Sequence, residues 1–119
     1  MRILVIDDDD QMRTLLRQVM EWAGYEVMEA GDGREGMHKH RKQPADLVIT
    51  DLIMPEQEGL ETITSLKKEY PGIKIIAISG GGRIGPEAYL PAAQELGADK
   101  VFSKPFDVRE LAEAVKELL

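Results

Sequence analysis

Four consecutive acids, Asp7, Asp8, Asp9 and Asp10, follow the aliphatic run Ile3-Leu4-Val5-Ile6, and another, Asp51, follows Leu47-Val48-Ile49-Thr50. Ser79 comes after Ile73-Lys74-Ile75-Ile76-Ala77-Ile78, and Ser103-Lys104-Pro105 after Lys100-Val101-Phe102. Carboxylates brought within a few ångströms of one another raise each other's pKa or recruit a cation. Oxygen-only donors favour Mg²⁺ or a similar hard ion such as Mn²⁺, held by one or two carboxylates with water completing the shell. Capping and the helix macrodipole account for Asp9 and Asp10 if a helix starts there. They do not account for Asp7 and Asp8 at the strand end, where adjacent acids are costly unless used. Asp51 alone would read as a loop cap; Met54-Pro55 and Gly59 shape a defined loop after it. Lys104 alone would read as a surface lysine, but a cis bond to Pro105 would fix the loop and aim the amine inward, making Pro105 a cis-proline candidate.

The elements that must position these residues alternate along the chain. Short apolar runs suited to strands occur at Ile3–Ile6, Tyr25–Glu29, Leu47–Ile49, Ile73–Ile78 and Lys100–Phe102. The first and fourth are almost wholly aliphatic, as strands covered on both faces must be, whereas Tyr25–Glu29 alternates and suits a sheet edge. Met12, Leu15, Leu16, Val19 and Met20 form one helical stripe, with Gly24 as its stop. Leu60, Ile63 and Leu66 mark a helix ended before Pro71-Gly72, and Tyr89, Ala92, Ala93 and Leu96 one ended at Gly97. The last helix carries Val108, Leu111, Ala112, Val115 and Leu118, with Asp107 placed to cap it. The stretch from Arg34 to Lys42 is a thin stripe weakened by Gly36. Five βα units predict an α/β fold with a doubly wound parallel sheet and helices on both faces. In such a sheet the ligand crevice lies beyond the carboxyl ends of the strands, where the acids, Ser79 and Lys104 fall.

Asp7-Asp8, Asp51-x-x-Met54-Pro55-x-x-x-Gly59, Ser79 and Lys104-Pro105, in this order and each at a strand end, resemble a response-regulator receiver domain over essentially the whole chain. The resemblance implies a flavodoxin-like, five-stranded sheet in the order 2-1-3-4-5, with residues 1–119 forming one receiver domain and no output domain. It implies that Asp51 accepts a phosphoryl group from a phosphohistidine of a sensor histidine kinase or phosphotransfer protein. By the same resemblance Asp8 and Asp51 bind Mg²⁺ (or Mn²⁺) directly, Asp7 acts through a metal-bound water, and the Ile53 carbonyl supplies a further oxygen. Lys104 neutralises charge during transfer, and Ser79 afterwards donates to a phosphoryl oxygen and draws its loop inward. The protein is then a phosphoacceptor switch, with slow loss of phosphate and no turnover. Its output surface would be the last two helices and the strand between them, open to an unidentified downstream target or to a phosphorylation-dependent homodimer.

Three features depart from the family pattern. Val101 stands where an aromatic switch residue is usual, and Phe102 cannot replace it because adjacent strand residues face opposite sides. The loop containing Gly80, Gly81 and Gly82 is long, and we expect it to be mobile without phosphate and partly ordered with it. Ile53 and Gly81, at the positions that tune hydrolysis, have no polar side chain to orient water, so a phosphorylated lifetime beyond seconds is expected. Two other readings have motifs. Gly80-x-Gly82-x-x-Gly85 spells a dinucleotide fingerprint, without the acid expected ~20 residues on. Asp7-x-Asp9 after a strand is similar to a haloacid-dehalogenase-type phosphatase, with Asp7 as nucleophile, though the chain lacks a cap and the later acidic pair. His38 and His40 diverge by about 200° on a helix, which makes a solvated basic patch with Lys39, Arg41 and Lys42 the expected arrangement. Trp22 and Tyr25, flanking Gly24, read as packing residues.

Composition narrows the function classes. The 119 residues make one domain, and 15 Lys and Arg against 22 Asp and Glu leave a net charge of −7 that repels nucleic acid and anionic membranes. A 43% hydrophobic content supports one core, built mostly of aliphatic side chains because only 5% of residues are aromatic. With no cysteine there is no disulfide, thiol nucleophile or thiolate metal site, which fits a reducing compartment. No apolar run approaches a membrane span or a signal-peptide core, so a cytoplasmic location is expected.

Overall fold

The computed structural model describes residues 1–52, 58–79, 91 and 93–119. Five strands, β1 (Arg2–Ile6), β2 (Glu26–Ala30), β3 (Leu47–Asp51), β4 (Lys74–Ser79) and β5 (Lys100–Ser103), form one parallel sheet in the order β2-β1-β3-β4-β5. Helices α1 (Asp10–Trp22), α2 (Gly33–Lys42), α3 (Glu58–Glu69) and a C-terminal helix (Val108–Leu118) connect and flank it, and residues 93–96 are helical as well.

Strand pleating sorts the aliphatic runs into two cores. Ile3, Val5, Leu47, Ile49, Ile76 and Ile78 pack against Leu16 and Met20 of α1 and Leu111, Ala114 and Val115 of the C-terminal helix. Leu4, Ile6, Val48, Ile75 and Ala77 face the other way, onto Met37 of α2, Ile63 and Leu66 of α3, and Ala93. Neighbouring residues of one strand therefore serve opposite layers, which is why residues 3–6 of β1 and 75–78 of β4 are wholly apolar. The edge strand β2 is half-buried along most of its length. Val101 packs into the second of these cores and Phe102 into the first, beside Phe106, as the pleat requires.

Three strands run further than the apolar runs suggested. Asp51 is the last residue of β3, Ser79 of β4 and Ser103 of β5, so the sheet itself holds these side chains. Asp51 lies in register with Ile78, and Ser79 with Ser103.

Helix ends follow from local chemistry. Asp9 caps α1 by accepting from the amides of Gln11 and Met12, and Asp107 caps the C-terminal helix by accepting from Arg109. Gly24 (φ 97°) and Gly97 (φ 120°) take the left-handed conformation expected of glycine stops. The weak stripe at Arg34–Lys42 is a regular helix nonetheless. Asp32 accepts from the Glu35 amide while the Glu35 carboxylate reaches back to Gly31 N–H, an arrangement close to a capping box. Gly36 serves packing: a Cβ there would lie 2.5 Å from Ile6 Cδ1.

Two side chains contradict the sequence reading. Trp22 is 93% exposed at the end of α1 and packs into neither core, whereas Tyr25 does pack. His40 is buried instead of solvated; its Nδ1 accepts from Ala45 N–H at 3.0 Å, its ring meets Tyr70 edge-on at 4.4 Å, and burial holds its pKa below the usual histidine value.

Candidate functional site

The carboxyl ends of β1, β3, β4 and β5 converge on a cluster of charged and polar side chains. Carboxylate oxygens of Asp7, Asp8 and Asp51 lie within 4.8 Å of one another; Asp7 and Asp51 are buried and Asp8 is exposed. Lys104 reaches over from the end of β5, placing Nζ 3.5 Å from Asp51 Oδ2 and 3.8 Å from Asp7 Oδ2. Its own backbone N–H donates to Ser79 C=O at 2.8 Å, which ties the lysine to the end of β4. The Lys104–Pro105 peptide bond is cis. The Ser79 hydroxyl is fully buried and has no hydrogen-bond partner among the described residues.

Asp7 is the most constrained member. Its N–H donates to Ala30 C=O at 3.1 Å, its C=O accepts from Arg13 Nη1 at 2.8 Å, and its Oδ1 accepts from Asp9 N–H at 2.9 Å. Burial pushes its pKa up from 3.8 to about 6; the Asp9 amide pulls it down, Asp51 pushes it up, and Lys104 only partly compensates. Gly59, at the start of α3, abuts the backbone after β3 so closely that a Cβ would sit 2.3 Å from Asp51 O.

The donor set tests what the cluster can hold. Among the described residues three carboxylates face one ammonium group, which leaves excess negative charge in a largely buried site, and the candidate ligand atoms are hard oxygens. That chemistry fits a small divalent cation such as Mg²⁺.

Of the residues singled out from sequence, Asp7, Asp8, Asp51, Ser79 and Lys104 thus come together at one end of the sheet, whereas Val101 is partly buried and packs against the core on the α2 and α3 side. The Ile53 carbonyl, Met54-Pro55 and Gly80, Gly81 and Gly82, with the mobility and lifetime expectations attached to them, lie outside the described residues. Sequence reasoning missed Arg13, which bonds the backbone of the acid loop. Its only trace in the sequence is an Arg placed three residues after Asp10.

A doubly wound sheet of this order with an acidic carboxyl-end cluster defines a receiver-like, flavodoxin-type α/β protein. Residues 3–116 match the response regulator receiver domain family. The chain is 36% identical to the chemotaxis protein CheY of Thermotoga maritima over 118 residues, covering 98% of this chain and 96% of that one. It is 32% identical to sporulation initiation phosphotransferase F of Bacillus subtilis, covering 99% and 93%. The crystal structure of a CheY-like receiver domain protein from Methanospirillum hungatei superposes with a TM-score of 0.87 at 33% identity, covering 98% and 90%. The chain belongs to the response regulator receiver family and is a two-component receiver, a phosphoacceptor switch. Nothing in these similarities supports the phosphatase or dinucleotide-binding readings.

Proposed function

We propose that Asp51 is the phosphoacceptor, that Asp7, Asp8 and Asp51 hold Mg²⁺ (or Mn²⁺), and that Lys104 and Ser79 serve the transfer and its readout. The observation that carries this reading is the Lys104 ammonium set between the Asp51 and Asp7 carboxylates, 3.5 and 3.8 Å away, at the strand ends where Ser79 is buried. An Asp51 oxygen attacks the phosphorus of a phosphohistidine on a histidine kinase or phosphotransfer protein. The O–P bond forms as the P–N bond breaks, and the imidazole leaves with the electron pair. Such a transfer passes through a loose transition state and asks the protein mainly for position and charge compensation. A divalent cation at the acid cluster, when bound, supplies neutralisation of the carboxylates and of the phosphoryl oxygens. Lys104 places positive charge beside the attacking oxygen, and its backbone bond to Ser79 keeps amine and hydroxyl on one platform. The Ser79 hydroxyl, without a partner among the described residues, can donate to an oxygen of the new aspartyl phosphate. That bond would transmit phosphorylation through β4 to the surface around β5, the proposed output face for a downstream target or a second copy.

Uptake of phosphate from acetyl phosphate tests the assignment. Asp51→Asn is expected to take up none. Lys104→Met is expected to slow uptake by about two orders of magnitude, the scale of losing one preorganised electrostatic contact. Unchanged labelling of Asp51→Asn would refute the reading.

A further inference from the structure

Arg13 lies outside the acid cluster but is bonded to its backbone. Its Nη1 donates to the Asp7 carbonyl at 2.8 Å, its Nη2 pairs with Asp10, and its Nε lies 3.4 Å from Glu29 Oε1 on β2. Glu29 is itself held by Arg17 Nη1 at 3.6 Å, and the Glu29 carbonyl accepts from Lys39. The guanidinium thus spans the β1–α1 loop, the first turn of α1 and the edge strand, with its charge balanced by two acids that do not belong to the cluster.

The acceptor on Asp7 matters. The Asp7 carbonyl belongs to the planar peptide unit that joins Asp7 to Asp8. The Asp7 N–H, bonded to Ala30, fixes the peptide before, and the Asp7 carboxylate is tied to the Asp9 amide. Arg13 adds a restraint on the peptide plane that sets the direction of the Asp8 Cα–Cβ bond relative to that of Asp7. Among the described residues Asp8 is exposed and makes no side-chain hydrogen bond, so the direction of its Cα–Cβ bond depends on this backbone.

We infer that Arg13 is a positioning residue for divalent-cation binding, which holds the Asp7–Asp8 peptide so that the two carboxylates point at one ion. The inference rests on the reading of Asp7, Asp8 and Asp51 as a Mg²⁺ site. Its partners are the Asp7 carbonyl, Asp10 and Glu29, and it acts through the Asp7 carbonyl, as outer partners of metal ligands do. Lysine at this position keeps the charge, but its three donors sit on a single nitrogen and cannot span the carbonyl and both acids together. Glu29→Gln removes the anchor on β2 and leaves the carbonyl contact.

Calorimetric titration of the whole chain with MgCl₂ tests the inference, with Asp8→Asn as the loss-of-site control. Arg13→Gln is expected to weaken Mg²⁺ binding about tenfold, with Arg13→Lys and Glu29→Gln intermediate. The Mg²⁺ concentration giving half-maximal phosphorylation by acetyl phosphate should rise in step. A merely structural role makes a different prediction: thermal stability without metal falls while Mg²⁺ affinity holds. Wild-type affinity in Arg13→Gln, alongside loss in Asp8→Asn, would overturn the role of Arg13 and leave the site standing. Absence of Mg²⁺ binding by the wild type would overturn both.

Discussion

Asp7 makes the conflict between stability and function measurable at a single residue. Its folded-state pKa of about 6 lies above the ordinary value of 3.8, so between these limits the folded chain holds a proton that the unfolded chain releases. Stability therefore falls as pH rises through that window, and the full penalty is present above pH 6, up to about 3 kcal/mol. Asp7→Asn keeps the shape and removes the buried charge. It is expected to raise the melting temperature at pH 7.5, to flatten the pH 4–6 slope in thermal melts, and to abolish stabilisation by added Mg²⁺. A variant that melts lower than wild type at pH 7.5 would show that the Asp7 charge is already compensated. The acids were legible in the sequence because unlike Asp9 and Asp10 they sit where no cap is needed. His40 and Trp22 were not legible. Whether one side chain on a helix is covered depends on a neighbour far along the chain, Tyr70 for His40, and for Trp22 on the lack of one.

Elements deliver these residues by close backbone packing, which glycine marks. A Cβ on Gly59 would meet Asp51 O at 2.3 Å and Leu52 Cα at 2.5 Å, both backbone atoms that cannot step aside. A Cβ on Gly36 would meet the Ile6 Cδ1 at 2.5 Å, the end of a side chain, and alanine improves the helix by about 1 kcal/mol. Gly59→Ala should therefore cost at least about 2 kcal/mol more than Gly36→Ala in urea unfolding, and it should also slow phosphorylation by displacing the end of β3. Equal unfolding midpoints would contradict the close approach of α3 to that strand. Helix α2 shows what periodicity hides. Its apolar stripe is thin because Gly36 gives up its side chain to contact, while the Asp32-x-x-Glu35 cap that stabilises its start was present in the sequence. Strand ends were underestimated for a related reason: Asp51, Ser79 and Ser103 are polar yet continue the ladder, so polarity signalled the site and concealed the strand.

The molecule as a whole is organised by one sheet that separates two apolar layers and gathers charge at the carboxyl end of its strands. The layers were readable because β1 and β4 are aliphatic on both faces, a pattern that only a doubly covered sheet requires. The strand order came through resemblance, since apolar runs do not say which strands are neighbours; the observed order β2-β1-β3-β4-β5 agrees with it. Among the described residues no helix is long and apolar enough to cross a membrane. Part of the −7 charge is the Asp7, Asp8 and Asp51 group, whose excess over Lys104 among the described residues suits it to a cation. Whether this arrangement directs a phosphoryl group to Asp51 is read most directly by borohydride trapping. After acetyl phosphate and Mg²⁺, reduction converts an aspartyl phosphate to homoserine, which peptide mass spectrometry locates. Homoserine is expected at position 51 alone, lost when Mg²⁺ is chelated; homoserine at position 7, or at no position, would contradict transfer to Asp51.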